Sequence, residues 1–262
     1  MKVNINFVKN DIMRFFLITI LIFLSFQINA QIEDFSRSKN MFIQDEISFG
    51  LKISTNGWGM DFRDGYFINM KRKKLYEIGF NVIHHPKEYK LASYHYLTKS
   101  FVFGKMNECF DIKAAYGQQF LLFDKKEPGS IAINFFVLGG IDLALLKPIY
   151  YSVLIDNYGN TDDQLYQSNM QPALITQKAS FSKGLSELKI NPGIYIKLGT
   201  SFEHSKQVNV IQNLELGIES YFFLNNLEIM GDIDNPRFIT SLFISYRIGS
   251  LIKNRRKEKD KK

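Results

Sequence analysis

The sequence predicts an all-β fold: a closed, antiparallel, up-and-down β-barrel that crosses a membrane with its strands. Three observations predict it. The first is the stretch 238–249, where Phe238, Thr240, Leu242, Ile244, Tyr246 and Ile248 fall on one face and Ile239, Ser241, Phe243, Ser245, Arg247 and Gly249 on the other. That is period-two alternation over about the length a tilted strand needs to cross a bilayer. The second is an export signal at the other end of the chain. The third is that the rest of the chain holds no run of eighteen apolar residues, so helices cannot do the crossing, while alternating strands still can.

The export signal occupies residues 1–30. Arg14 precedes an apolar core, 15–26, and Gln27-Ile28-Asn29-Ala30 follows with a small residue at the cleavage position. This is the build of a secretory signal peptide and is short for a membrane helix. A start at Met13 would give a more ordinary n-region than the long, partly acidic lead containing Asp11. Residues 31–45 are polar and aperiodic, and are expected to form a periplasmic lead into a barrel over 46–250.

Within the barrel, 46–54 alternates, with Ile47, Phe49, Leu51 and Ile53 on one face. Asn56-Gly57 follows, and both residues accept the backbone geometry of a tight hairpin turn. Trp58, Met60 and Phe62 mark the return strand. Residues 75–83 form a third strand, 99–106 a fourth, and 109–122 a fifth reached through a tight turn at Asn107-Glu108. The stretch 131–155 is too long for one spanning strand, and Gly139-Gly140 offers a turn within it, although the odd-numbered apolar phase runs straight through. Residues 156–185 are polar and form the principal loop; 188–199, 210–222 and 237–249 complete the strands. Such barrels have an even strand number with both termini on the periplasmic side. Splitting 131–155 therefore gives about ten strands, with extracellular loops at 84–98, 123–130, 156–187 and 224–236. Eight would result if the first hairpin lay outside the wall.

If the apolar faces meet lipid, the opposite phase lines the lumen. It carries Lys52, Arg63, Lys113, Lys189, Lys197 and Arg247 against Asp61, Glu77, Asp111, Asp142, Glu215 and Glu219. A charge-selective pore shows one sign in excess, whereas this balance predicts a salt-bridged, occluded interior. Glycines at 50, 59, 79, 104, 117, 193, 199, 217 and 249 share that phase and suit a crowded lumen.

The net charge of +7 is mostly a property of the ends. The tail, 251–262, contributes +5 through Lys253, Arg255, Arg256, Lys257, Lys259, Lys261 and Lys262 against two acids, and the signal segment contributes +2. The body is near neutral, which argues against a nucleic-acid partner. The tail reads either as a solvated terminus or as a periplasmic partner-binding segment for anionic lipid, cell-wall polymer or an acidic protein face. Cys109 is the only cysteine, so no internal disulfide forms and closure of the sheet must supply stability. His84 and His85 are adjacent and beside a proline, His95 lies in a loop and His204 in a turn; none has metal-ligand or nucleophile spacing. No catalytic residue, metal site or cofactor is expected.

The signal ending Asn29-Ala30-Gln31 is similar to the common cleavage context of Bacteroidetes outer-membrane β-barrel proteins. The segments Phe49-Gly50-Leu51-Lys52-Ile53-Ser54-Thr55-Asn56-Gly57-Trp58-Gly59, His85-Pro86-Lys87-Glu88, Leu146-Lys147-Pro148-Ile149-Tyr150 and Phe181-Ser182-Lys183-Gly184-Leu185-Ser186-Glu187-Leu188-Lys189 resemble an uncharacterised group of them. A weaker similarity is to barrel subunits of that phylum's secretion and gliding apparatus. The resemblance implies an outer-membrane location and carries no catalytic residues. One departure is the C-terminus, which runs some thirteen residues past Gly249. The expected function is a non-enzymatic barrel serving as a structural or accessory subunit of an envelope complex, for secretion or outer-membrane assembly, with outer-membrane lipid and envelope proteins as partners. A small polar-solute channel is the alternative, and a lipid-modifying barrel enzyme a third. Oligomeric state is left open.

Overall fold

A computed structural model of the chain describes residues 45–91, 100–125, 130–156, 159–168, 170–204 and 210–252. In chain order the strands are β1 (Asp45–Ser54), β2 (Gly57–Asn69), β3 (Arg72–Ile83), β4 (Lys90–Leu91), β5 (Phe101–Val102), β6 (Asn107–Phe123), β7 (Ala132–Pro148), β8 (Tyr150–Leu154), β9 (Thr161–Leu165), β10 (Ile175–Lys178), β11 (Lys189–Glu203), β12 (Val210–Phe223) and β13 (Phe238–Ile252). Eight of them close a barrel in the order β1-β2-β3-β6-β7-β11-β12-β13, and β13 pairs back onto β1. Every neighbouring pair in the wall is antiparallel.

Alternation decides which face turns inward. On β13, Ile239, Ser241, Phe243, Ser245 and Arg247 are buried, whereas Phe238, Leu242, Ile244, Tyr246 and Ile248 are exposed. The same rule runs round the wall: Leu51, Trp58, Ile78, Ile112, Ile141, Ile196 and Ile218 are exposed outside, while charged and small residues face in. Ten residue steps from Phe238 to Ile248 cover about 33 Å of strand, and a tilt near 40° turns that into about 25 Å of apolar height. A wall with ionic side chains inside and aliphatic ones outside is the inverse of a water-soluble barrel. Closure leaves no unpaired edge among its strands, which is what the hydrocarbon of a bilayer demands. The chain is an outer-membrane β-barrel.

The favoured count of ten strands is corrected to eight. Gly139-Gly140 is no turn: β7 runs unbroken through it, with Gly139 opposite Tyr116 and Ile196, and Gly140 opposite Ala115 and Tyr195. The odd apolar phase that passed through the glycines was the better signal. Gly140 permits a close approach, since a Cβ there would lie 2.0 Å from the Ala114 carbonyl oxygen on β6. The strand expected at 99–106 is not formed either. Phe101 and Val102 form only the two-residue β5, paired with β4, and Asn107-Glu108 opens β6 instead of making a turn. The first hairpin lies within the wall, so eight is not reached by leaving it out.

The connections differ at the two ends. At one end lie both termini of the described barrel, the tight β2–β3 turn, the β6–β7 connection and the β11–β12 connection. At the other lie the β1–β2 turn and three long connections, 84–106, 149–188 and 224–237. The segment 123–130, expected beside the long loops, therefore sits at the terminal end. Within 149–188, β8 continues from β7 and is flanked by β9 and β10 in a small sheet of its own. Phe101, Ile149, Tyr151, Val153 and Ile175 form the core beneath it.

Candidate functional site

The lumen is the candidate site, and it is layered. Along β12 the inward residues descend from the loop end as Phe223, Tyr221, Glu219, Gly217, Glu215, Asn213 and Ile211. An eight-stranded barrel has an interior about wide enough for its side chains alone, so each layer fills the section.

The middle layer is ionic. The Arg63 guanidinium meets Glu215 at 2.6 Å and Glu77 at 2.7 Å. Arg247 bonds Asp61, reaches Glu215 at 3.2 Å and donates to the Ser48 hydroxyl at 3.3 Å. Lys197 Nζ lies 3.1 Å from Glu77 and 3.6 Å from Asp61. Nearer the loop end Lys52 bonds Glu219 at 2.5 Å, and Lys113 lies 3.7 Å from the same carboxylate. Phenyl and phenol rings wedge between these groups. Lys113 Nζ stands 4.4 Å from the Tyr195 ring centre, Lys197 4.9 Å from Phe243, and the Arg63 guanidinium 5.0 Å from Phe136. Burying an ion costs several kcal/mol unless Coulomb attraction and hydrogen bonds offset it, and here each cation has at least one carboxylate in reach.

Of the twelve charged residues expected in the lumen, Lys52, Asp61, Arg63, Glu77, Asp111, Lys113, Asp142, Lys197, Glu215, Glu219 and Arg247 are buried inside the wall. Lys189 is not among them. It stands at the first position of β11, beyond the rim, with its side chain 68 % exposed and Glu228 only loosely paired at 3.9 Å. Its place in the inward phase is undone by height. The inward set is thus five cations against six acids. Asp111 and Asp142 form no ion pair among the described residues; Asn81 donates to Asp111 at 2.8 Å, and Lys113 stands opposite Asp142 in the register. The tail residues Lys253, Arg255, Arg256, Lys257, Lys259, Lys261 and Lys262 lie outside the described residues, as do residues 1–44.

The aromatic members Tyr195, Tyr221, Phe136 and Phe243 were missed because a charge tally ignores them, although they share the inward phase in sequence. The rings of Tyr195 and Tyr221 lie 5.2 Å apart. Tyr221 accepts from Lys113 at 3.1 Å and from Asn81 at 3.3 Å. Beside Asn81, Glu219, Tyr221 and Ser241 a void of about 10 Å³ remains, room for about one water.

The loop end is sealed by an apolar lid within 224–236, where the sequence predicts a plain loop. Leu227, Ile229 and Met230 are buried against Ile83, Cys109, Leu146, Tyr221 and Phe223 of the barrel. Backbone bonds hold it from two sides: Met106 and Asn107 donate to the Ile229 carbonyl at 2.9 and 3.2 Å, and Leu224 donates to Pro192 at 3.0 Å. Asn235 braces it internally, its side chain accepting from Ile229 and Met230 and donating to Met230 and Ile233. The triplet of large apolar residues inside a polar segment was the legible clue.

Outside the lid, Glu88 gathers three donors. Lys105 Nζ lies 2.8 Å from it, the His85 amide 2.9 Å and His84 Nδ1 3.4 Å. Partial burial would raise the Glu88 carboxyl, but the bonds from His84, Lys105 and the His85 amide prevail and hold it at about 2. His84 is therefore not isolated, yet its acid is shared with a lysine, and no hydroxyl bonds it among the described residues. Cys109 is buried below the lid.

No protein-family model and no curated protein sequence matches the chain. Solved structures do. Neisserial surface protein A matches with a TM-score of 0.37 at 12 % identity, over 80 % of this chain and 96 % of that one. The N-terminal β-barrel domain of OprF from Pseudomonas aeruginosa matches with a TM-score of 0.35 at 9 % identity, over 80 % and 98 %. Ail, the attachment invasion locus protein of Yersinia pestis, solved with the heparin analogue sucrose octasulfate, matches with a TM-score of 0.34 at 8 % identity, over 79 % and 95 %.

Proposed function

We propose that this barrel works as a non-enzymatic anchor and accessory subunit in an envelope complex, displaying its long loops outside the cell and its termini to the periplasm. The observation that carries the reading is the doubly closed lumen. An ionic layer with Arg63, Arg247 and Lys197 fills the middle, and Leu227, Ile229 and Met230 cover the loop end. A barrel that no solute can thread offers its outer faces as working surfaces. The largest of these is the 149–188 connection, with its own sheet β10-β8-β9. The basic tail, Lys253 to Lys262, would supply a second contact on the periplasmic side, attracting acidic surfaces by charge and losing them with salt. Secretion and outer-membrane assembly are the settings suggested by the likeness to Bacteroidetes barrels.

Affinity purification from native membranes tests this. The expected result is recovery with stoichiometric envelope proteins, and recovery of the barrel alone would overturn it. The channel reading loses support from the packed lumen, and planar-bilayer recordings on the purified protein should show no unitary conductance.

A further inference from the structure

The strand β7 carries an outward charge that lipid should not tolerate. Leu143 and Leu145 share the outward phase of β7 with Lys147, and Leu143 is 40 % exposed as a lipid-facing residue should be. Lys147 follows two residues after Leu145, yet it is 1 % exposed. Its neighbour across the register is Glu108, which shares the outward phase of β6 with Phe110, Ile112 and Tyr116. Lys147 Nζ lies 4.0 Å from Glu108, and Lys178 from β10 bonds the same carboxylate. Three charged groups thus stand on the outside of the wall at its loop end.

What covers Lys147 is the segment between β10 and β11, residues 179–188, which packs against the outside of the barrel at the end of β7. Its Ala179 amide donates to Tyr150 at 2.9 Å, and Tyr150 Oη donates to Glu187 at 2.8 Å. Gly184 adopts φ +86°, and a Cβ there would lie 2.6 Å from the Pro148 carbonyl, so the turn is pressed against the end of β7. Phe181 lies over Lys147, ring centre to Nζ 4.7 Å, and meets the Phe110 ring edge-on at 6.2 Å. Phe110 in turn stacks on Phe80 at 6.0 Å. It occupies the same row across the sheet as Val82, Leu145 and Trp58.

Having covered Lys147, the segment presents apolar groups of its own outward. Phe181, Leu185 and Leu188 are each at least 40 % exposed, and they run directly into Ile190, Ile194 and Ile196 on the lipid face of β11. A large apolar patch in water is costly and marks a contact surface. Here it is continuous with the wall's apolar belt and joins the aromatic row where such rings sit at membrane interfaces. The Lys183 side chain, 43 % exposed on the same turn, is held by Asp163 at 2.9 Å.

We propose that residues 179–188 form a membrane-seated foot: the turn lies in the outer leaflet against the barrel, with Phe181, Leu185 and Leu188 among lipid acyl chains near the headgroups. It shields Lys147, and with it the ion pair to Glu108, from hydrocarbon and fixes the height of the β10-β8-β9 sheet above the membrane. The proposal rests on the membrane-spanning reading of the wall, and the test separates the two. The chain has one tryptophan, Trp58. The full-length protein is reconstituted in phosphatidylcholine vesicles brominated either near the headgroup or near the chain end. In the unmodified protein, quenching of Trp58 reports insertion. In the Trp58→Phe, Phe181→Trp protein, the expected result is blue-shifted emission, stronger quenching by the shallow than by the deep bromines, and protection from aqueous iodide. Leu165→Trp in the same background places the probe on β9, and should give the opposite pattern. Leu185→Trp repeats the measurement should Phe181→Trp fail to fold. Loss of Trp58 quenching would overturn the membrane reading itself. Quenched Trp58 with iodide-accessible, bromine-insensitive tryptophan at 181 or 185 would overturn the foot alone.

Discussion

Arg63 and Glu215 meet through two parallel hydrogen bonds, Nη1 to Oε1 at 2.6 Å and Nη2 to Oε2 at 3.2 Å, although 152 residues separate them. They sit on β2 and β12, which do not pair in the wall, so the bond spans the lumen. Such bidentate pairs are among the strongest that buried ions make. Replacing only one partner, as in Arg63→Met, leaves uncompensated carboxylate among Glu77 and Glu215 and should destabilise the barrel by about 3–5 kcal/mol. The double replacement Arg63→Met, Glu215→Gln should cost clearly less. Urea midpoints of the protein refolded in lipid vesicles measure both.

Loosening the lid should not open the barrel. Leu227→Ala removes a fully buried side chain and should weaken lid packing by about 2–5 kcal/mol. Amide exchange would then rise over residues 224–237 while the wall strands stay protected. Bilayer conductance should remain absent, because the layer around Arg63 and Arg247 lies deeper. Ion flow through this variant would count against the doubly closed lumen.

Acid should release the Glu88 cluster. Its carboxyl is held at about 2 against an ordinary value of 4.5. A depressed carboxylate contributes its full stability above the ordinary value and loses it as pH falls toward the folded one. The contacts of Glu88 with His84, the His85 amide and Lys105 should therefore weaken between pH 4.5 and about 2. Amide exchange at Glu88 and Lys105 would report it, and Glu88→Gln should flatten the dependence.

The two adjacent glycines of β7 should behave differently. A Cβ on Gly140 would meet the Ala114 carbonyl at 2.0 Å, whereas one on Gly139 has its nearest neighbour at 3.7 Å. Gly140→Ala should lower the yield of heat-modifiable folded barrel, and Gly139→Ala should leave it near the parent level. Equal effects would mean that β6 and β7 do not approach as described.

The wall was readable because a strand lined by charge inside and lipid outside writes its orientation at every second residue. Phe238–Ile248 and the inward glycines of the wall show this directly, whereas Gly104, expected among them, lies in the turn between β5 and β6. Strand number was harder, since glycine serves both turns and close backbone approach; in Gly139-Gly140 the uninterrupted phase of Ile133, Phe135, Val137, Ile141 and Leu143 was the deciding evidence. The loops hid more. Phe101 and Val102 look like wall residues, but Phe101 packs with Tyr151 and Val153 in the small sheet's core and Val102 against the cluster beneath the lid, because apolar side chains can be buried by a loop core as well as by a barrel. Lys147 was invisible as a problem, being outward, charged and covered only by a turn more than thirty residues later in the chain.

The seam where β13 joins β1 gives the ionic interior a further meaning. Arg247 arrives on the last strand of the wall, and its carboxylate partners Asp61, Glu77 and Glu215 wait on β2, β3 and β12. Until that strand docks, those acids lack one of their cations, and the edges of β1 and β12 have no backbone partner. A half-built cylinder is therefore poorly suited to lipid, and the final pairing completes both the hydrogen-bond ladder and the neutralisation of the centre. Truncation before Arg247 is therefore expected to leave a chain that does not close, and its sensitivity to added protease in membrane fractions would measure this.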